Sequence, residues 1–362
     1  MTITEEGHVH AGVATAGGAR GTTALELKDV EVTFQLRRRL FASQQNRQRS
    51  LVHAVRGVSL RVARGETVAV VGESGSGKTT LARAALRLVP TSAGSVLLDG
   101  HDLSRLSGKD LRTARRGMQM VFQDPYSSLD PHWRIGDVIA EPLRVHGIGD
   151  DTSRRHSVAE LLDAVGLDPR TADRYPAQFS GGQRQRIAIA RALAVSPSVI
   201  VLDEALSALD VSTKAQIAEL LGTLQRDQAL AYLFIAHDLP LVRVLATRTA
   251  VMHLGEVVES GPAADVDEAP LHPYTHALAA ATPVPDPAVQ RTRARILLKG
   301  EAPSPLDPPS GCAFRTRCPA AFDRCATVRP ELREVMPGRT VACHLDLPTL
   351  SSGAWATRAG AS

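Results

Sequence analysis

Short apolar runs alternate with segments of helical period along most of the chain. Residues 25–34 (LELKDVEVTF) alternate apolar and polar positions, the period-two pattern of a half-buried strand. Residues 67–71, 199–202 and 232–235 are continuous apolar runs of strand length, the pattern of strands buried on both faces. Helical spacing marks residues 79–88, 158–165, 183–195 and 213–225. From His53 to about Gly261 strands and helices interleave, which predicts an α/β domain around a mainly parallel sheet. Residues 125–173 carry helical pattern and little strand character, and are expected to form a helical insertion in that domain.

The flanks read differently. Residues 1–23 are rich in Gly, Ala, Thr and His without periodicity and are expected to be a disordered leader. Residues 37–49 contain Arg37, Arg38, Arg39, Arg47 and Arg49 and no acid. They read as a loop between two strands, either solvated or set against acidic lipid headgroups or a neighbouring subunit. After Gly261 the composition shifts: ten of 22 prolines fall in residues 283–337, and all four cysteines in residues 312–343. A compact appendage of irregular backbone is expected over 262–348, followed by a Ser/Ala/Gly tail over 349–362.

Composition narrows the class. At 362 residues, with about 150 per domain, two domains are expected. With 43% hydrophobic and 22% charged residues, disorder over the whole chain is excluded. Aromatics at 4% leave few stacking platforms for single-stranded nucleic acid, and a net charge of +4 does not call for a nucleic-acid partner. No apolar run reaches the roughly 18 residues of a membrane span. The acidic N-terminus lacks the apolar core of a secretory signal. The chain is therefore expected to stay in the cytosol with reduced cysteines, any membrane role coming through partners.

Gly72-Glu-Ser-Gly-Ser-Gly-Lys-Thr79 follows one of the apolar runs and opens a helix, the strand–loop–helix setting of a phosphate loop. Gly72, Gly75 and Gly77 let backbone amides of the loop, Ser74 and Ser76 included, turn inward around the phosphates, and the helix N-terminus at Thr79 and Thr80 adds its partial positive charge. Lys78 is placed to reach the β- and γ-phosphates of ATP, and Thr79 to hold Mg2+. The run at 199–202 ends in Asp203 and Glu204. Asp203 is the expected carboxylate beside Mg2+, and Glu204 the expected base for the attacking water.

These residues, with Phe179-Ser-Gly-Gly-Gln183 upstream of Asp203, resemble the ABC-type ATPases. The resemblance implies a P-loop NTPase cassette: a RecA-like parallel sheet, an antiparallel β subdomain and a helical subdomain at about 125–180, within residues 24–261. In that family the signature residues, here Ser180, Gly181, Gly182 and Gln183, face ATP held by a second cassette. Gln123 matches the Q-loop residue that contacts Mg2+ or water, Asp210 the D-loop, and His237 the switch histidine at the γ-phosphate. Phe34 matches the aromatic that stacks on adenine.

The likeness sharpens over roughly residues 25–345. Val121-Phe-Gln-Asp-Pro-Tyr-Ser-Ser-Leu-Asp-Pro131, Asp203-Glu-Ala-Leu-Ser-Ala-Leu-Asp-Val-Ser212 and His272-Pro-Tyr-Thr-His-Ala-Leu278 are similar to ATPase subunits of oligopeptide/dipeptide importers. So are Gly311-Cys-Ala-Phe-Arg-Thr-Arg-Cys318-Pro and Val341-Ala-Cys-His344. Asp130 stands where that group often has Asn, and Ala205-Leu206 where it often has Pro-Thr. The basic stretch 37–49 resembles the second of the two ATPase subunits such importers carry. The resemblance implies an ATPase powering solute import, most often of peptides, from the cytoplasmic side of the membrane. Its implied partners are a second ATPase subunit in a heterodimer, two permeases and an extracytoplasmic solute-binding protein, with no nucleic acid.

Two other readings compete. A soluble ABC-type ATPase acting on DNA or ribosomes would carry a coiled-coil arm or two cassettes, but only 57 positions separate Gln123 from Ser180. A module that binds ATP without turnover is at odds with the intact Lys78, Asp203, Glu204 and His237. Cys312, Cys318, Cys325 and Cys343 are spaced x5, x6 and x17. Their clustering in a reducing compartment suggests a structural [4Fe–4S] cluster, then Zn2+, against free thiols in a small apolar lobe.

Overall fold

The computed structural model describes residues 22–35, 51–124, 128–237, 239–281 and 303–345. The leader up to residue 21, the basic stretch 37–49 and the tail from 349 lie outside the described residues. Strands β1 (Thr23–Gln35), β2 (Leu51–Ala63), β4 (Ala93–Leu98) and β5 (His101–Asp102) form an antiparallel sheet ordered β2-β1-β4-β5. In β1 the alternation is reset by a bulge between Leu27 and Val30, where Asp29 takes φ 46 and is held by the Ser59 hydroxyl. The bulge turns Leu25, Leu27, Val30 and Val32 all inward.

The larger sheet contains β3 (Thr67–Val71), β6 (Met118–Val121), β7 (Val199–Asp203), β8 (Ala231–Ala236) and β9 (Arg248–His253), running parallel in the order β9-β3-β8-β7-β6. Every residue of β3, β7 and β8 is buried, as their unbroken apolar runs predict. Beyond β9, β10 (Glu256–Pro262), β12 (Arg339–Val341) and β11 (Arg333–Met336) continue the sheet antiparallel.

Successive residues of the central strands feed two cores. Val68, Val70, Val201 and Leu233 pack with Leu81 of helix α1 (Lys78–Ala85) and the antiparallel sheet. Ala69, Val71, Leu202 and Phe234 pack on the opposite face. There they meet α5 (Gly181–Leu193), α6 (Val211–Gln228), α7 (Leu239–Leu245) and α9 (Pro273–Ala281). Helices α3 (Ile135–Val145) and α4 (Asp151–Ala164) extend that second core through Ile135, Ile139, Val158 and Leu162. The short helices α2 (Gly108–Ala114), α8 (Ala263–Glu268) and α10 (Asp323–Thr327) complete the described set. Among the described residues no helix is long and apolar enough to cross a membrane.

The C-terminal region is less separate than its composition suggests. β12 pairs with β10 through Glu259↔Val341 and Ser260↔Thr340, and Phe314 is buried in the second core. Glu259, fully buried, accepts from Arg339 Nη2 at 2.6 Å and from the backbone amides of Leu271 and His272. One carboxylate thereby ties β10, β12 and the approach to α9 together.

Removing the cation strands a buried carboxylate, so Arg339→Leu is expected to cost about 3–5 kcal/mol. Urea unfolding of the single variant should show that loss, and Glu259→Gln with Arg339→Leu, which removes the stranded charge but keeps an acceptor for the Leu271 and His272 amides, should restore part of it. Acid should also weaken this join. Burial lowers the pKa of His253 to about 4 and of His272 to about 3, from an ordinary 6.5. Between those limits the unfolded chain takes up protons that the folded chain refuses. Stability should therefore fall as pH drops below 6.5, by up to about 1.4 kcal/mol per pH unit for each ring. Urea midpoints at pH 7 and pH 5 check this, and His253→Gln, with no ring to protonate, should flatten the slope.

Candidate active site

The parallel strands all deliver their C-terminal ends to one crevice, where ligands of open α/β sheets bind. β3 ends at Val71 and α1 starts at Lys78, so the loop between must fold back tightly. Gly72 (φ 154) and Gly77 (φ 103) make that approach. A Cβ on Gly72 would stand 2.2 Å from the Met252 carbonyl oxygen, and one on Gly77 2.3 Å from that of Ala54. Gly75 turns at φ 79 in open space. The Ser76 hydroxyl is buried without a hydrogen-bond partner. Lys78 is 5% exposed, and its ammonium donates to the carbonyls of Gly72 at 2.8 Å and Glu73 at 2.9 Å. Burial lowers its pKa against the pull of Glu204 and Asp203.

Asp203 closes β7 as a buried carboxylate and accepts from Thr79 Oγ1 at 3.1 Å. Burial raises its pKa, and the Thr79 hydrogen bond opposes the rise. A buried carboxylate beside a hydroxyl is a donor set suited to a hard cation, so Thr79 and Asp203 fit Mg2+.

Glu204 stands at φ 47, a left-handed conformation that costs a non-glycine residue about 1–3 kcal/mol. Its amide donates to the Ile235 carbonyl at 3.0 Å, and its own carbonyl accepts from Ser207 Oγ at 2.8 Å. These bonds hold the strained turn. The carboxylate then meets two groups from neighbouring strands: Gln123 Nε2 donates to Oε2 at 2.8 Å, and His237 Nδ1 lies 3.6 Å from the same oxygen. Two residues far apart in sequence converge on one oxygen of Glu204.

Ser74, Gly75, Gly77, Lys78, Thr79 and Thr80 line a cavity of about 180 Å³ shared with Glu204. Val52, His53 and Pro305 line it too, and sequence reasoning missed them. Phe34 is 40% exposed and pairs with Val52 across β1 and β2, so the strand register carried the signal. A larger apolar groove of about 1070 Å³ runs between α6 and α7 and touches this chemistry only at His237.

Ser180 caps α5, which starts at Gly181, two residues earlier than its apolar pattern predicts. Ser180 Oγ accepts from the Gln183 amide at 3.3 Å, and Gln183 Oε1 accepts from the Ser180 amide at 3.0 Å. A Cβ on Gly182 would stand 2.4 Å from Thr213 Cγ2, so its bareness admits the start of α6. Asp210 caps α6, and hydrogen bonds from Ser212 and Thr213 hold its carboxyl well below the usual range. None of Ser180, Gly181, Gly182, Gln183 or Asp210 lines the cavity over the phosphate loop.

The four cysteines carry free thiols, Cys325 buried and the others half-buried. Burial, with the neighbouring thiols adding to it, pushes Cys312 up to about 11 and Cys318 up to about 12. Among the described residues no three His, Cys, Asp or Glu side chains stand where they could hold a metal ion. The cluster suggested by the cysteine spacing thus gains no support from metal geometry.

Residues 55–207 match the ABC transporter family, and residues 258–325 the oligopeptide/dipeptide transporter C-terminal region. The chain is 47% identical over 328 residues to AppF of Bacillus subtilis (strain 168), named an oligopeptide transport ATP-binding protein, covering 90% of this chain and 98% of that one. It is 51% identical over 295 residues to YkfD of the same organism, whose name proposes the same role, covering 81% and 90%. Among solved structures, the dimeric ATP-binding cassette MJ0796 in a post-hydrolysis state with ADP and phosphate superposes with a TM-score of 0.57 at 30% identity, covering 66% of this chain and 98% of that one. The chain belongs to the ABC transporter family as an ATP-hydrolysing, ATP-binding subunit, with the cassette fold that its motifs imply.

Proposed function

We propose that this chain powers peptide import, working from the cytoplasmic face of the membrane as one of two ATPase subunits in a heterodimer. Two permeases carry the solute, and an extracytoplasmic binding protein delivers it. The observation that carries the catalytic reading is the convergence of Gln123 and His237 on Glu204 Oε2 beside Lys78 and Asp203. The match of residues 258–325 to oligopeptide/dipeptide transporters favours import over a DNA- or ribosome-directed role.

In this reading the phosphate-loop amides and Lys78 hold the β- and γ-phosphates. Mg2+, on Thr79, Asp203 and Gln123, would neutralise phosphate charge. Glu204 takes the proton of the attacking water, with Gln123 and His237 fixing one carboxylate oxygen and leaving Oε1 to act. His237 is placed to reach the γ-phosphate. The signature residues Ser180, Gly181, Gly182 and Gln183 lie off their own cavity, which supports their serving a partner cassette's ATP.

A groove of about 240 Å³ between the end of β6 and helices α3 and α5 supports permease docking. Its wall includes Phe122 and Leu88, which are 44% and 48% exposed. Phe122 immediately precedes Gln123, so a permease seated there would bear on the catalytic carboxylate through one residue.

Glu204→Gln keeps the shape and loses the base. In the assembled complex, phosphate release should fall by roughly 10²–10⁴-fold while equilibrium ATP binding persists. Turnover at the wild-type rate would refute the assignment.

We also propose that Cys312, Cys318, Cys325 and Cys343 close from their present spacing, which forms no metal-holding group, around a structural [4Fe–4S] cluster, with Zn2+ as the alternative. Their shared lobe, and backbone amides from Phe314, Ala320 and Leu345 bonded to three of the sulfurs, support it. Anaerobic purification should give brown protein with about four iron and four sulfide per chain. Colourless protein with zinc would select the alternative, and metal-free protein would sink both.

A further inference from the structure

Glu73, the second residue of the phosphate loop, is held by the C-terminal region. Its carboxylate accepts from both ends of the Arg317 guanidinium, Nη1 to Oε2 at 2.7 Å and Nη2 to Oε1 at 3.0 Å. Its backbone amide donates to the Tyr274 hydroxyl at 2.7 Å. Its carbonyl accepts from the Lys78 ammonium at 2.9 Å. Every polar group of this residue is thus engaged, and two of its partners lie 201 and 244 positions away in sequence.

The partners are themselves rigid. Tyr274 is fully buried, its ring 4.5 Å from that of His253 and 5.4 Å from that of Phe314. The start of its helix is fixed by the Glu259 carboxylate through the amides of Leu271 and His272. The Arg317 side chain is 10% exposed, so its pair with Glu73 is poorly screened. A planar guanidinium making two parallel bonds fixes direction as well as distance. Nearby, Pro305 reaches over to line the same cavity as Ser74 and Lys78.

An ammonium has three N–H donors. Two of those on Lys78 go to the carbonyls of Gly72 and Glu73, which aims the third. The position of the Glu73 carbonyl therefore sets where Lys78 can offer charge to a phosphate.

We infer that the region beyond residue 262 is a working part of the ATP site: Arg317 and Tyr274 are positioning residues that fix Glu73 and, through its carbonyl, the Lys78 ammonium. This rests on the ATP-site reading above. It assigns the C-terminal region a role in nucleotide affinity.

The test uses the full chain in its assembled complex, with equilibrium MgATP binding and steady-state ATPase measured on each variant. Arg317→Gln should raise both Kd and KM for MgATP about tenfold, within the range of coupled neighbours, and change kcat by less than about threefold. Arg317→Lys keeps the charge but not the fork, and should recover part of the loss. Tyr274→Phe, which deletes one hydroxyl, should raise Kd by about threefold and carries the test if Arg317→Gln fails to fold. Glu73→Gln with Arg317→Gln should be no worse than Arg317→Gln alone, because the two act as a pair. Additive effects, or a lowered Tm with Kd and KM unmoved, would mark a merely structural contact and overturn the inference. Lys78→Ala separates the two readings. If it loses ATP binding while Arg317→Gln and Tyr274→Phe stay within about twofold of wild type, the ATP site stands and the clamp falls. If Lys78→Ala binds normally, the ATP-site reading fails and the inference with it.

Discussion

The placement of β3 between β9 and β8, inside a run of five parallel strands, is the constraint on which the site depends. Parallel pairing aligns the strand ends, so loops that follow β3, β6, β7 and β8 open onto one crevice. The register does the rest. Asp203 pairs with Ile235, and Val71 pairs with Ala236. Lys78, Glu204 and His237 thus follow strand ends that lie side by side. A slip of one residue in any of these strands would turn its side chains to the other core. Strands buried along their whole length resist such a slip on both faces at once.

Rigidity of the scaffold offsets strain at the site. Glu204 sits at a positive φ, and the amide–carbonyl bond to Ile235 and the Ser207 hydroxyl keep it there. The sheet edge follows a similar logic with charge. Glu259 and Arg339 meet where water is excluded, and the pair is favourable only because backbone amides satisfy the remaining carboxylate lone pairs. Such a contact adds little net stability compared with well-packed apolar residues, but it specifies which strand adds to β10.

The sequence was most legible where the chemistry is local. The phosphate loop is written in eight consecutive residues, and Asp203 and Glu204 follow a strand that no polar residue interrupts. Elements without an apolar stripe were harder. The first two turns of α4, from Asp151 to Ser157, bury nothing fully. They are nucleated instead by the capping box between Asp150 and Ser153, a polar signal outside the apolar pattern. The C-terminal region looked separate because proline and cysteine dominate its composition. Its attachment rests on one three-residue strand and on single side chains such as Phe314 and Arg339. No periodicity reveals a contact between Glu73 and Arg317, because it depends on a fold that first brings the phosphate loop and the C-terminal region together.

The same geometry fits the proposal that a second cassette completes the ATP site. Ser180 and Gln183 satisfy each other's backbone amides in a capping box, which fixes the entry of α5 without drawing on the phosphate loop. Gly182, pressed on Thr213, ties that entry to the start of α6, which Asp210 caps. Ser180 and Asp210 thus cap two helix starts that are packed against each other. The phosphate loop is anchored elsewhere, to β3 and, through Glu73, to the C-terminal region. Between the two stands Gln123, bonded to Glu204 and adjacent in the chain to the exposed Phe122. A displacement of the groove behind Phe122 has a direct path to Glu204 Oε2 and a longer one to Lys78. Under the proposed function, a membrane partner would act on Glu204 through Gln123, while Arg317 and Tyr274 would hold Glu73 by a separate set of contacts.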